Sequence, residues 1–233
     1  MNQRLECCHV PVAGGDEALT GDLSLPSGAN AVIVFAHGSG SSRLSPRNRY
    51  VAATLNNLGL ATLLIDLLSP QEEAVDTKTR ELRFDIRLLT GRLIDCVDWL
   101  GNHPSTSALA LGCFGASTGA AAALGAAAER PEAVNAVVSR GGRPDLAFAV
   151  LGLVRAPTLL IVGARDPQVL RLNEIALTAL QCTKALTLVP GASHLFEEPG
   201  ALEVVARHAG RWFEEHLGSS RQSPRRTQRP TRR

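Results

Sequence analysis

Aromatic side chains are scarce in this chain: six Phe, two Trp and one Tyr make up 4% of its 233 residues. Ala, Leu and Val must therefore fill whatever core it forms. An uninterrupted apolar run of about 18 residues, the length needed to cross a bilayer, is missing too, and "AAAALGAAA" (120–128) is too short and too rich in small residues to serve. The first residues, "MNQRLECCHVPVAGG", contain no apolar core of a signal peptide, so none is expected. Cysteine is present five times, at 7, 8, 96, 113 and 182, an odd number without CxxC or Cys/His ligand spacing. That excludes a disulfide framework and a zinc site as the organising principle. The thiols are expected to be reduced and mostly buried, and the protein cytoplasmic. The phosphate-binding pattern GxxxxGK[ST] is absent, and the glycines at 112, 115 and 119 do not fit GxGxxG, so no nucleotide cofactor is signalled.

What is present begins with a split in charge. The formal net charge is +2, yet everything after Gly218 reads "SSRQSPRRTQRPTRR", with six arginines and no acid, so the body alone carries −4. The expected organisation is one α/β domain over 1–217 and a disordered Arg-rich tail over 218–233, too poor in apolar residues to offset its own ordering entropy. Nucleic acid could be touched only through that tail, because the body lacks a basic face interleaved with aromatics.

Hydrophobic patterning supplies the elements. "LECCHVPV" and "ALTGDLSLP" read as an antiparallel pair of strands around an "AGGDE" turn. "AVIVFAH" (31–37), "LATLLID" (60–66), "ALALGCF", "AVNAVVSR", "PTLLIVG" and "ALTLVP" are short, almost continuous apolar runs, as in strands buried on both faces. Between them lie predicted helices over about 45–58, 80–102, 118–129, 167–181 and 199–217, with a short one after "GGRPD". "LLSPQEEAVDTKTR" reads as a polar connection. Alternation of this kind implies a mainly parallel sheet of about eight strands, helices on both faces, and the first hairpin at its antiparallel edge.

"LGCFGASTGAAAA" (111–123) is where chemistry enters. A buried strand turns directly into a helix at Ser117, between Gly115 and Gly119. Such a turn strains its apex residue and lifts the hydroxyl above the carboxyl edge of the sheet, where ligands bind in open α/β folds. Strand–helix turns also use Gly and Ser for purely structural reasons, so the serine needs partners. "LLIVGARDPQV" places Asp166 after one later strand, and "LTLVPGASHLFEEP" places His194 after the next. The order Ser, Asp, His is the one a nucleophile elbow requires. In that triad His194 takes the proton of Ser117 and Asp166 orients the imidazole. His37, in "HGSGSS", is expected to buttress its loop. An oxyanion hole needs two backbone N–H groups: one from Thr118, the other from "FAHGSGSSR", assigned to Ser39 with Gly40 as the alternative.

With these pieces in place the chain resembles the α/β-hydrolase superfamily over 1–217, and within it the dienelactone hydrolase-like branch. The resemblance rests on "HGSGSSRLSPRN", "GASTGAAAA", "VVSRGGRPDL", "GARDPQVLRLNE" and "PGASHLFEEPG". It implies the α/β-hydrolase fold and hydrolysis of an ester bond without a metal or organic cofactor. Domains of this kind are sometimes fused to a phosphoribosyltransferase domain, which makes a phosphoribosyltransferase-type partner an expectation. The namesake enzyme uses a cysteine nucleophile, whereas this chain has Ser117, so a serine esterase acting on a small ester, thioester or lactone is expected in place of dienelactone itself.

Arg43 and Arg47 follow the oxyanion loop, and Arg140 and Arg143 lie in "SRGGRPD". A guanidinium there suits an anionic substrate, with Arg140 the first candidate and Arg43 the second; pairing with local acids such as Asp145 is the competing reading. Two other functions share the sequence features: an acyltransferase using the same triad, and a non-catalytic domain of the same fold used for docking.

Overall fold

The computed structural model describes residues 3–218. The Arg-rich segment 219–233, for which disorder is expected, lies outside the described residues.

Eight strands form one sheet: β1 (Gln3–Pro11), β2 (Ala18–Pro26), β3 (Ala31–Ala36), β4 (Ala61–Ile65), β5 (Ala110–Ala116), β6 (Val134–Arg140), β7 (Thr158–Gly163) and β8 (Lys184–Val189). Their spatial order is β1-β2-β4-β3-β5-β6-β7-β8. β1 pairs antiparallel with β2, and β2 antiparallel with β4. From β4 through β8 every pairing is parallel. The expected antiparallel edge hairpin on a mainly parallel sheet is therefore what forms.

Six α-helices join the strands: α1 (Pro46–Asn57), α2 (Pro70–Thr79), α3 (Ile86–Asn102), α4 (Thr118–Glu129), α5 (Pro167–Ala179) and α6 (Ala201–Leu217). Period-two alternation sorts the strand side chains between two cores. In β3, Val32, Val34 and Ala36 join the core under α3, α4 and α5, while Ala31, Ile33 and Phe35 join the one under α1 and α6. Scarce aromatics are concentrated in the second core, where Phe35 stacks on Phe114 at 4.7 Å between centroids. α4 is buried on nearly all sides. Its Ala and Gly residues permit that close packing: a Cβ on Gly125 would collide with Thr90 of α3.

Three expectations are corrected here. The connection after β4 contains a full helix, α2, whose N-terminus is closed by a capping box in which Ser69 and Glu72 exchange hydrogen bonds. It lacks an apolar stripe because Asp76 is the helix's buried residue. The long helix expected over 80–102 starts only at Ile86, where Asp85 caps it; Arg80 turns left-handed and a 3-10 turn covers Leu82–Phe84. The cysteines are all free, but only Cys96 and Cys113 are buried; Cys8 and Cys182 are half-buried and Cys7 is exposed. No helix among the described residues is long and apolar enough to cross a membrane.

Candidate active site

β5 ends at Ala116 and α4 starts at Thr118, leaving one residue to make the turn. That residue, Ser117, has φ 51° and ψ −120°, a conformation that costs a non-glycine residue on the order of 1–3 kcal/mol. The surroundings hold it there. Its N–H donates to Arg140 O (3.2 Å), and its carbonyl accepts from Arg143 N (3.0 Å) and Ala120 N (3.1 Å). The flanking glycines are steric necessities: a Cβ on Gly115 would overlap Ala120, and one on Gly119 would overlap the carbonyls of Ala36 and His37. A third glycine, which the sequence did not single out, matters as much. A Cβ on Gly38 would stand 3.0 Å from Ser117 Cβ, so the loop after β3 lies directly against the serine.

Asp166 and His194 arrive on the loops after β7 and β8. Asp166 is the N-cap of α5, its Oδ1 accepting from Val169 N at 3.3 Å. Its Oδ2 accepts from His194 Nδ1 at 2.7 Å. A carboxylate cannot donate, so Nδ1 carries the proton, and in the neutral ring Nε2 is then the accepting nitrogen. Gly163 lets the two loops meet, since a Cβ there would overlap the carbonyls of Ala192 and Ser193. Ser117, Asp166 and His194 line one open cavity of about 260 Å³, together with Arg143, Gln168, Val169 and Leu172.

Ser39, Gly40 and Thr118 line a small adjoining cavity of about 10 Å³ with His37, Gly38 and Arg83. The N–H groups of Ser39, Gly40 and Thr118 have no acceptor among the described residues. His37 braces this loop. Its Nδ1 donates to Gly38 O (3.0 Å) and its Nε2 accepts from Leu67 N (3.1 Å). Burial holds its pKa below the ordinary histidine value, which keeps the ring neutral and able to accept.

The arginines are distributed otherwise than expected. Arg43 is not brought to the serine. Its guanidinium is bound by Asp66 (2.5 Å) and Asp22 (3.5 Å) and faces a separate cavity bounded by Thr20 and Pro70. Arg140 is 92% buried, being 8% exposed. It points to the α1/α6 face with Ala136 and Val138 of its own strand, which belong to that core, and its guanidinium stands 6.0 Å from the centre of the Phe196 ring. Its Nε and Nη1 have no hydrogen-bond partner among the described residues, and burial, with Arg47 nearby, lowers its pKa to about 10. Arg143 is the arginine that lines the serine's cavity, held by two hydrogen bonds to Asp145 (2.8 and 2.7 Å). No group of three or more His, Cys, Asp or Glu side chains among the described residues could hold a metal ion.

The family model described as the Dienelactone hydrolase family matches residues 19–217. A crystal structure of dienelactone hydrolase from Anabaena variabilis shares 58% identity and superposes with a TM-score of 0.90, over 92% of this chain and 99% of that one. Est1E from Butyrivibrio proteoclasticus has the same fold at 15% identity, with a TM-score of 0.76, over 91% of this chain and 99% of that one. Two Mycobacterium tuberculosis proteins, from strains CDC 1551 and H37Rv, are 56% identical over 209 residues and bear the name "Putative phosphoribosyl transferase". The match takes in 90% of this chain but 46% of theirs, so the chain spans about half the length of these relatives.

Proposed function

Because the chain belongs to the dienelactone hydrolase family, we propose that it is a serine hydrolase that cleaves a small ester, thioester or lactone through an acyl-enzyme on Ser117. Fold and family are those of a hydrolase. The observation that carries the finer reading is the strained backbone of Ser117, φ 51°, in one cavity with the hydrogen-bonded pair His194–Asp166. Strain of this kind persists only where packing over-determines it, and it holds the hydroxyl out at the strand's end.

The chemistry follows from the groups present. His194 Nε2 takes the Ser117 proton as Oγ attacks the carbonyl carbon. The negative charge that develops on the carbonyl oxygen is met by N–H groups of Thr118 and of Ser39 or Gly40. The imidazolium, stabilised by Asp166, gives its proton to the departing alkoxide or thiolate. Water then repeats the sequence on the acyl-enzyme and frees Ser117. No cofactor enters any step. A cavity of about 260 Å³ suits a small substrate. One cation lines it, Arg143, which favours a substrate with a carboxylate or another anionic group. Acyl transfer to an acceptor other than water uses the same groups.

A second reading comes from the Mycobacterium tuberculosis relatives. Their name belongs to proteins with as much chain again outside the match. We place the hydrolase in the matched part and propose a phosphoribosyltransferase-type protein as a partner.

Fluorophosphonate labelling with p-nitrophenyl acetate and butyrate hydrolysis tests the proposal. Wild type should label and turn over, and Ser117→Ala should do neither, with turnover reduced about 10⁴-fold or more. A set of esters carrying a carboxylate should be preferred over neutral ones of equal size. Folded wild-type protein that neither labels nor turns over would sink the hydrolase reading and favour a docking domain.

A further inference from the structure

The segment between β4 and α3 touches the oxyanion loop through a side chain that the mechanism above does not use. Asp76 of α2 is 1% exposed. It accepts from Arg83 N (3.1 Å) and from Arg83 Nε (2.6 Å), and its own carbonyl accepts from Arg83 Nη2 (3.2 Å). Burial alone would raise the Asp76 pKa, but the hydrogen bonds and charge of Arg83 outweigh it and hold the carboxyl below its ordinary value. The guanidinium is thus fixed on two of its three nitrogens. Its third, Nη1, faces Gly40, lying 3.2 Å from where a Cβ of that residue would be. Gly40 has φ 68° and lines the small cavity with Ser39, Thr118, Asp76 and Arg83.

The geometry points to Arg83 as a positioning residue: anchored by Asp76, it packs against Gly40 and fixes the 38–41 loop so that its N–H groups face the same small cavity as Thr118. This rests on the serine hydrolase reading. The physical case is one of precision. A loop with a left-handed glycine has little stiffness of its own, whereas an oxyanion donor acts only when held within about 0.5 Å of its place, roughly 3 Å from the developing charge. A planar fork locked on a buried carboxylate supplies such a rigid backstop. His37, bonded to Leu67, ties down the start of the loop; Arg83 ties down its middle. α2 gains a role as the arm that carries the anchor.

The test uses p-nitrophenyl acetate kinetics and fluorophosphonate labelling rates on Arg83→Ala, Arg83→Lys, Asp76→Asn and the double variant, at a temperature where each is folded by circular dichroism. Arg92→Gln is the control: it breaks the Glu72–Arg92 pair (2.5 Å) that fastens α2 to α3 without touching the loop. Expected are kcat and labelling rates about 10- to 100-fold down in the Arg83 and Asp76 variants, with KM within about threefold. The double variant should be no worse than Arg83→Ala, and Arg92→Gln should melt earlier at unchanged kcat. Lysine should not rescue, because it lacks the fork. Amide exchange at Ser41, whose N–H donates to Gly38 O across this loop (3.1 Å), should quicken in Arg83→Ala, a readout independent of catalysis. Wild-type kcat in folded Arg83→Ala, multiplying effects in the double variant, or an equal kcat loss in Arg92→Gln would overturn the assignment while leaving the serine hydrolase reading intact. Unlabelled wild type would remove that reading, and unchanged exchange in Arg83→Ala would then dispose of the loop anchor as well.

Discussion

Asp166 divides its carboxylate between two tasks, one oxygen on the first turn of α5 and the other on His194. The tasks separate on substitution. Asparagine caps helices as well as aspartate does, but it can donate to His194 Nδ1 and so favour the wrong tautomer. Asp166→Asn should therefore lower kcat about 10³- to 10⁴-fold while the urea midpoint barely moves. A stable variant with full kcat would mean that Asp166 serves α5 alone. This residue was legible because it stands in chain order behind a buried strand. Arg140 was not. Sequence places it at the right end of the right strand, but which face of β6 is the substrate's depends on the parity of Ala136 and Val138, and these pack under α1 and α6. The arginine three residues later, beyond the strand, is the one that reaches the cavity.

At the scale of elements, two glycines with opposite surroundings make a controlled pair. Gly119, in the first turn of α4, has backbone carbonyls of Ala36 and His37 where a Cβ would go, whereas Gly91, on the exposed side of α3, has nothing within 4 Å. Gly119→Ala should destabilise by about 3 kcal/mol or prevent folding, and Gly91→Ala should stabilise by about 0.5–1 kcal/mol. Urea midpoints check both; a tolerated Gly119→Ala would show that α4 does not sit hard against the end of β3. The strands and α4 could be read from sequence because continuous apolar runs and a Gly–x–Ser–x–Gly turn are local signals. α2 could not be read by periodicity, since a helix that buries a single aspartate has no apolar stripe. Its Ser69–Glu72 box was a visible start signal without a hydrophobic pattern behind it. The Asp76–Arg83–Gly40 contact joins three segments and has no local signature at all.

For the whole molecule, acid should act in two stages. His37 has its pKa lowered by burial, so the unfolded chain takes up a proton below about pH 6.5 that the folded chain refuses. Stability then falls with decreasing pH, by at most about 1.4 kcal/mol per unit. Asp76, also depressed, adds a second decline below about pH 4, where the unfolded carboxyl protonates first. Asp95, raised by burial, opposes these over its own narrow range. Denaturant titrations from pH 8 to 3.5 should show both declines, and His37→Gln should flatten the first while lowering the plateau; an unchanged first slope would assign it to another group. The site is also ordered along the chain. The loop at 38–41 follows β3, the serine follows β5, the aspartate follows β7, and the histidine comes only after β8, the last strand of the described sheet. On the serine hydrolase reading, synthesis from the N-terminus therefore delivers the 38–41 loop and Ser117 long before His194. On that reading a chain that stops short of His194 carries Ser117 without its proposed base, and turnover is expected only once the ribosome has passed the entire sheet.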